Sequence, residues 1–241
     1  MTQYTGSVSG THARHDENDL AKVWAACYTD RPEGATGKLP VFLFLHGSSG
    51  INPATRELGR FIASLGFLFV APDSMAVADR LAYTSPVAPE VYETVHAMRL
   101  SELEYAVDHL NELPEFDGRF VIAGTSEGGV SVARFASRAE RPEAARLLFS
   151  WSCEDNYHVD HHRTNIPDSV PVLNLMSAED KFFSRANAYL GNDDALGHAG
   201  EALAKHPDAT IVLLPGAPHT LFNLPAAHRI LRGFLEGVLP L

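Results

Sequence analysis

Apolar residues in this chain gather into short unbroken runs, and the longer stretches between them repeat their apolar positions every three or four residues. The unbroken runs are VFLFLH (41–46), FLFVAPD (67–73), RFVIAG (119–124), RLLFSW (146–151), VPVLNLMS (170–177) and ATIVLLP (209–215). A run of this length without alternation suits a strand covered on both faces. AKVWAACY (21–28) alternates well enough to predict an earlier strand, and RPEGATGKLP (31–40) reads as a turn. Between the runs, Val91, Val95, Met98, Leu103, Ala106 and Leu110 recur at helical spacing and predict a helix over 90–112. Further helices are predicted from near Pro53, a residue suited to a first helical turn, and at about 128–139, 193–206 and 222–238.

Strand and helix alternating this regularly predict an α/β fold: a mostly parallel sheet of about seven to eight strands, helices on both faces, and right-handed crossovers. In such sheets the working residues lie just beyond the carboxyl ends of the strands. With no internal repeat and no linker-like tract, the reading is a polar N-terminal segment over 1–19 and one domain over 20–241. No stretch between consecutive strands is long enough for a large cap domain, so an accessible pocket is expected.

Composition narrows the function. The 241 residues, 45% hydrophobic, suffice for a large single core. Nineteen basic against thirty acidic residues give a net charge of -11, which repels phosphate backbones and anionic membranes and argues against nucleic-acid or membrane partners. Two cysteines, Cys27 and Cys153, suggest neither a disulfide framework nor a zinc site. The opening MTQYTGSVSGTHARHDENDL lacks the regions of a signal peptide, and no run approaches a membrane span, so a soluble cytoplasmic protein is expected.

The chemistry concentrates at GTSEGG, residues 124–129, directly after the run RFVIA. A serine at the apex of a strand-to-helix turn points its hydroxyl away from the sheet, and only very small residues fit two positions to either side. Gly124 and Gly128 supply that room around Ser126. The turn also frees the Glu127 amide at a helix N-terminus, where it can donate to an oxyanion. A serine alcohol needs a base, and the base needs an orienting acid. Asp180 follows the strand VLNLMS, and His219 follows IVLLP, so both project toward the edge that holds Ser126; Glu179 and Asp155 compete with Asp180 for the acid's role. The order serine, acid, histidine is that of α/β-hydrolases.

On these residues, together with His46-Gly47 in LFLHGSSG, the chain from about residue 20 onward resembles the α/β-hydrolase superfamily, and most of all its dienelactone-hydrolase-like and carboxylesterase-like branch. The resemblance implies an α/β-hydrolase fold, a Ser126–Asp180–His219 triad and a second oxyanion amide at Ser48. Dienelactone hydrolases proper carry a cysteine nucleophile where this chain has serine. The implied reaction is hydrolysis of an ester or lactone of a small soluble substrate through an acyl-enzyme, with no cofactor. Amide hydrolysis, carbon–carbon cleavage, acyl transfer, or ligand binding without turnover remain open on the same scaffold.

Other residues draw lesser expectations. The Glu127 side chain reads as an acid favoured in a first helical turn, with no catalytic task of its own. His46 reads as an organiser of its loop, and His46, Cys153, Tyr157 and Phe182 as pocket-lining candidates. The string SCEDNYHVDHHRTN (152–165) offers His158, Asp160, His161 and His162, but no spacing among them fixes two metal ligands on one face; a polar loop over the site is expected, and no metal. KFFSRANAYLGN (181–192) reads as a pocket wall or small lid, or equally as core.

Overall fold

A computed structural model describes residues 4–240, so residues 1–3 of the N-terminal segment lie outside the described residues. In chain order the elements are β1 (Ser7–Ser9), α1 (Glu17–Ala25), β2 (Tyr28–Asp30), β3 (Leu39–Leu45), α2 (Pro53–Ser64), β4 (Leu68–Ala71) and β5 (Ala82–Thr84). They continue with α3 (Pro89–His109), β6 (Phe116–Thr125), α4 (Glu127–Arg134), β7 (Arg146–Phe149), β8 (Val172–Ser177), β9 (Ala209–Leu214) and α5 (Pro225–Val238). Seven strands form one sheet in the order β2-β4-β3-β6-β7-β8-β9. All neighbours run parallel except β2, which is antiparallel to β4.

The unbroken apolar runs have the expected cause. Along β3, Val41, Leu43 and Leu45 enter one core, with Leu103, Ala106 and Val107 of α3 and Val132 of α4. The alternate residues Phe42 and Phe44 enter the other, with Leu58 and Ile62 of α2 and Leu231 and Leu235 of α5. All five β3 side chains are essentially inaccessible to water. Burying each such side chain favours folding by about 1.5–3 kcal/mol, so both faces of the strand contribute.

Two predicted elements are different in the structure. AKVWAACY is not a strand: α1 occupies Glu17–Ala25 and only Tyr28–Asp30 pairs with the sheet. Asp16 accepts a hydrogen bond from the Asp19 amide at 2.9 Å, capping a helix whose first turn holds Glu17 and Asp19. That cap and the alanines outweigh the alternation. The helix therefore straddles residues 19 and 20, and upstream of it β1 pairs antiparallel with β5. The predicted helix at 193–206 is instead a chain of turns. There the amides of Leu196 and Gly197 donate to the buried Glu154 carboxylate at 2.7 and 2.8 Å, and Gly197 takes a positive φ of 76°. Backbone donors bound to a side chain cannot extend a helix.

Among the described residues no helix is long and apolar enough to cross a membrane.

Candidate active site

Strand β6 ends at Thr125, helix α4 begins at Glu127, and Ser126 alone makes the corner. Its φ of 55° and ψ of -122° lie where a residue with a β-carbon is strained, a signature of functional turns. The surrounding glycines are dictated by contact. A β-carbon on Gly128 would meet the Leu45 carbonyl oxygen at 2.4 Å, one on Gly124 would meet the Gly128 oxygen at 2.5 Å, and one on Gly47 would meet the Ser126 Cβ at 3.2 Å. Ser126 makes no capping hydrogen bond with its side chain, and the residue borders the cavity described below. The first amides of α4 have no carbonyl one turn behind them.

His219 follows β9 and Asp180 follows β8. His219 Nδ1 lies 2.8 Å from Asp180 Oδ2, and the other carboxylate oxygen accepts from the Phe182 and Phe183 amides at 2.8 and 3.1 Å. Burial pushes the Asp180 carboxyl up, but these hydrogen bonds outweigh it and hold the group below its ordinary range. A carboxylate acceptor makes Nδ1 the protonated ring nitrogen and leaves Nε2 free as a base. Phe182 and Phe183 meet the imidazole edge-on, with ring centroids 4.7 and 5.5 Å away. Of the competing acids, Glu179 lines the cavity, whereas Asp155 lies 2.6 Å from His162 Nδ1 at the exposed surface.

Two serines that drew no expectation fix the histidine loop. Ser150 donates to the His219 carbonyl at 2.6 Å, and Ser177 donates to the Ala217 carbonyl at 2.6 Å. Ser150 also has a positive φ, 40°, and among the described residues only it and Ser126 do so without being glycine. Its position directly beyond β7 was the available signal.

Ser126, His219, Ser48, Glu179, Phe182 and Tyr157 border one cavity of roughly 360 Å³, whose further wall includes Tyr83, Ser85, His158, Phe183 and Phe222. Of the four pocket-lining candidates, Tyr157 and Phe182 border this cavity, and His46 and Cys153 do not. His46 is buried beneath the loop: its Nε2 accepts from the Ser74 amide at 3.1 Å, so the proton sits on Nδ1, which donates to the Gly47 carbonyl at 2.7 Å. Burial, then the Arg99 charge, pushes its pKa down to about 3, and the ring is neutral. Cys153 is core, beside Trp151 and Phe183, and burial raises its thiol pKa far above neutrality, which leaves it inert.

Segment 152–165 is less polar than its composition suggests, because Cys153, Tyr157, His158 and Val159 are buried and only part of the loop meets water. His158 lines the cavity, while His161 and His162 point to solvent around Asp155. Among the described residues no cluster of three or more His, Cys, Asp or Glu side chains could hold a metal ion. The expectation for the Glu127 side chain is also revised: it is completely buried and paired with Arg80 at 2.6 Å.

Comparison with known proteins agrees with this architecture. A search of curated proteins gave no match. Among solved structures, the chain is similar to Est1E of Butyrivibrio proteoclasticus with ferulic acid bound (14% identity, 88% of this chain and 94% of that one, TM-score 0.62). It is also similar to a dienelactone hydrolase-like promiscuous phosphotriesterase from metagenomic libraries (16%, 98% of both chains, 0.59). A third is a thermophilic esterase of Thermogutta terrifontis with propionate bound (15%, 88% and 89%, 0.56). At these identities the likeness establishes the α/β-hydrolase fold. The profile of the dienelactone hydrolase family matches residues 25–228, and the chain belongs to that family.

Proposed function

We propose that this protein is a cytoplasmic serine hydrolase that cleaves an ester or lactone of a small soluble substrate through an acyl-enzyme. The observation that carries the reading is a strained, uncapped Ser126 on the same cavity as a histidine already oriented by a buried carboxylate. Ser126 Oγ attacks the carbonyl carbon as His219 Nε2 takes its proton. Asp180 keeps Nδ1 protonated and stabilises the imidazolium. The amides of Ser48 and Glu127 receive the oxyanion, the latter aided by the positive end of α4. The imidazolium then protonates the leaving alcohol, and water deprotonated by His219 releases the acid and restores the serine.

The cavity supports a small and largely uncharged acyl group. Tyr83, Tyr157, Phe182, Phe183 and Phe222 supply apolar wall, and its acidic and basic side chains other than histidine are Glu179 and Lys181, one of each sign. Family membership points to hydrolysis, and the structural neighbours described as esterases favour an ester over an amide bond.

A fluorophosphonate probe tests the assignment. A mass increase mapped to Ser126, absent in Ser126→Ala, is expected, together with turnover of short-chain p-nitrophenyl esters. A folded protein that stays unlabelled and idle across the ester panel refutes it.

A further inference from the structure

The proposed mechanism uses Glu127 only through its amide, yet its carboxylate is among the most deeply buried charges in the molecule. Arg80 Nη2 donates to Oε1 at 2.6 Å and the Tyr83 hydroxyl to Oε2 at 2.9 Å, while Arg99 Nε stands 3.6 Å from Oε1. These contacts do not end there. Arg80 Nε donates to Ser74 Oγ at 2.6 Å, and Ser74 Oγ donates to Glu102 Oε1 at 2.5 Å. Glu102 in turn pairs with Arg99 and with His15.

From this cluster two bonds run to the other side of the site. The Ser74 amide holds His46 Nε2, and Arg99 Nη2 donates to the His46 carbonyl at 2.9 Å. His46 Nδ1 then holds the Gly47 carbonyl, which belongs to the same peptide as the Ser48 amide. One continuous buried network therefore begins on residue 127 and ends on the peptide of residue 48. Those are the two residues whose amides face the oxyanion in the proposed mechanism. Within it two arginines, Arg80 and Arg99, balance two glutamates, Glu102 and Glu127. A buried charge left unpaired costs several kcal/mol, so the set holds together as a unit.

We infer that the Glu127 carboxylate is a positioning residue, which through Arg80, Ser74 and His46 locks the nucleophile corner to the His46–Ser48 turn and so fixes the spacing of the two oxyanion amides. The inference rests on the serine-hydrolase reading above. Preorganised donors stabilise a transition state because they need no reorientation when charge develops. A glutamine at 127 keeps the volume but loses the charge, turns N–H donors toward Arg80 or Tyr83, and leaves a buried guanidinium uncompensated. The corner and the turn then lose their common anchor.

The test is the rate of covalent labelling by a fluorophosphonate, whose phosphoryl oxygen occupies the same hole, followed by intact mass for wild type, Glu127→Gln and Ser74→Ala. Folding of each variant is checked by circular dichroism, and kcat and KM are measured on a turned-over ester. Expected are labelling and kcat about 10- to 100-fold slower in Glu127→Gln, about 3- to 10-fold slower in Ser74→Ala, and KM within about twofold of wild type in both. A merely structural role lowers melting temperature but leaves the rate per folded molecule unchanged. Labelled wild type alongside a folded Glu127→Gln reacting at the wild-type rate overturns the inference alone. Unlabelled wild type overturns it together with the serine-hydrolase reading. Where Glu127→Gln does not fold, Ser74→Ala decides: slowed labelling supports the lock, and a wild-type rate overturns it.

Discussion

Asp180 and Glu127 are two carboxylates with no solvent exposure, each bound to a side chain of the cavity wall, His219 for the first and Tyr83 for the second, and they are held in contrasting ways. Asp180 accepts from two backbone amides and one imidazole, a partner that can gain and lose a proton. Glu127 accepts from a guanidinium and a phenol, neither of which changes charge near neutrality. The first arrangement suits a moving proton and the second a fixed frame. Burial alone therefore does not reveal what an acid does; the titration behaviour of its partner does.

The comparison breaks most sharply on the proton-transfer side. Ser126→Ala is expected to reduce kcat/KM by roughly 10⁵-fold with little change in melting temperature, since it removes one hydroxyl and no core volume. Steady-state kinetics beside a thermal melt check both halves, and a large loss of stability would make the serine structural. Asp180→Asn follows, at about 10³- to 10⁴-fold in kcat, because a carboxamide can orient the imidazole in the wrong tautomer. A loss below tenfold would mean that another acid serves His219.

The elbow gives the next effect, on stability. Gly128→Ala drives a methyl against the Leu45 and His46 carbonyl oxygens, at 2.4 and 2.7 Å, in rigid backbone. A loss of about 3 kcal/mol or more is expected, read by denaturant titration. Gly118, with nothing within 4 Å of its β-carbon position but a φ of 98°, supplies the control for backbone strain without a clash.

Acid titrates the frame as well. His46, His96 and His158 are buried, and burial depresses all three, His46 to about 3. Between that value and the ordinary 6.5 the unfolded chain binds protons that the folded one refuses, so stability is highest above pH 6.5 and declines as pH falls. For His46, with its folded value of about 3, the loss is about 2 kcal/mol at pH 5, and His96 and His158 act in the same direction. Asp180 and Glu102, held below their ordinary values, add a further loss as pH drops through the carboxylate range. Urea titrations from pH 8 to 4.5 check the slope, and a flat profile down to pH 5 contradicts neutral buried rings. The smallest effect belongs to Cys153→Ala, with kcat unchanged and a loss of about 1 kcal/mol in stability.

These contrasts also explain what the sequence disclosed. The strands were readable because a sheet covered on both faces needs unbroken apolar runs, as β3 shows. Ser126 was readable because close backbone packing demands glycine on both sides of it. Asp180 and His219 were readable from their places beyond β8 and β9. The frame was not, because its bonds join residues far apart: Glu127 meets Arg80 at a separation of 47 positions and Tyr83 at 44. An acid in a first helical turn looks alike whether it faces water or two arginines. At 17–25 and 193–206 local pattern was overruled, once by an aspartate cap and once by Glu154 drawing amides away from a helix.

The β1–β5 ribbon carries one last consequence. Any side chain at Gly6 or Gly10 would collide with the Thr84 or Arg80 carbonyl oxygen, at 1.8 and 2.1 Å, so the opening segment is clasped to the stretch that delivers Tyr83 to the cavity wall and Arg80 to Glu127. The wall that Tyr83 contributes is thereby tied to a ribbon outside the main sheet, so that a change at Gly6 or Gly10 bears on the cavity while every strand of the main sheet stays as it is.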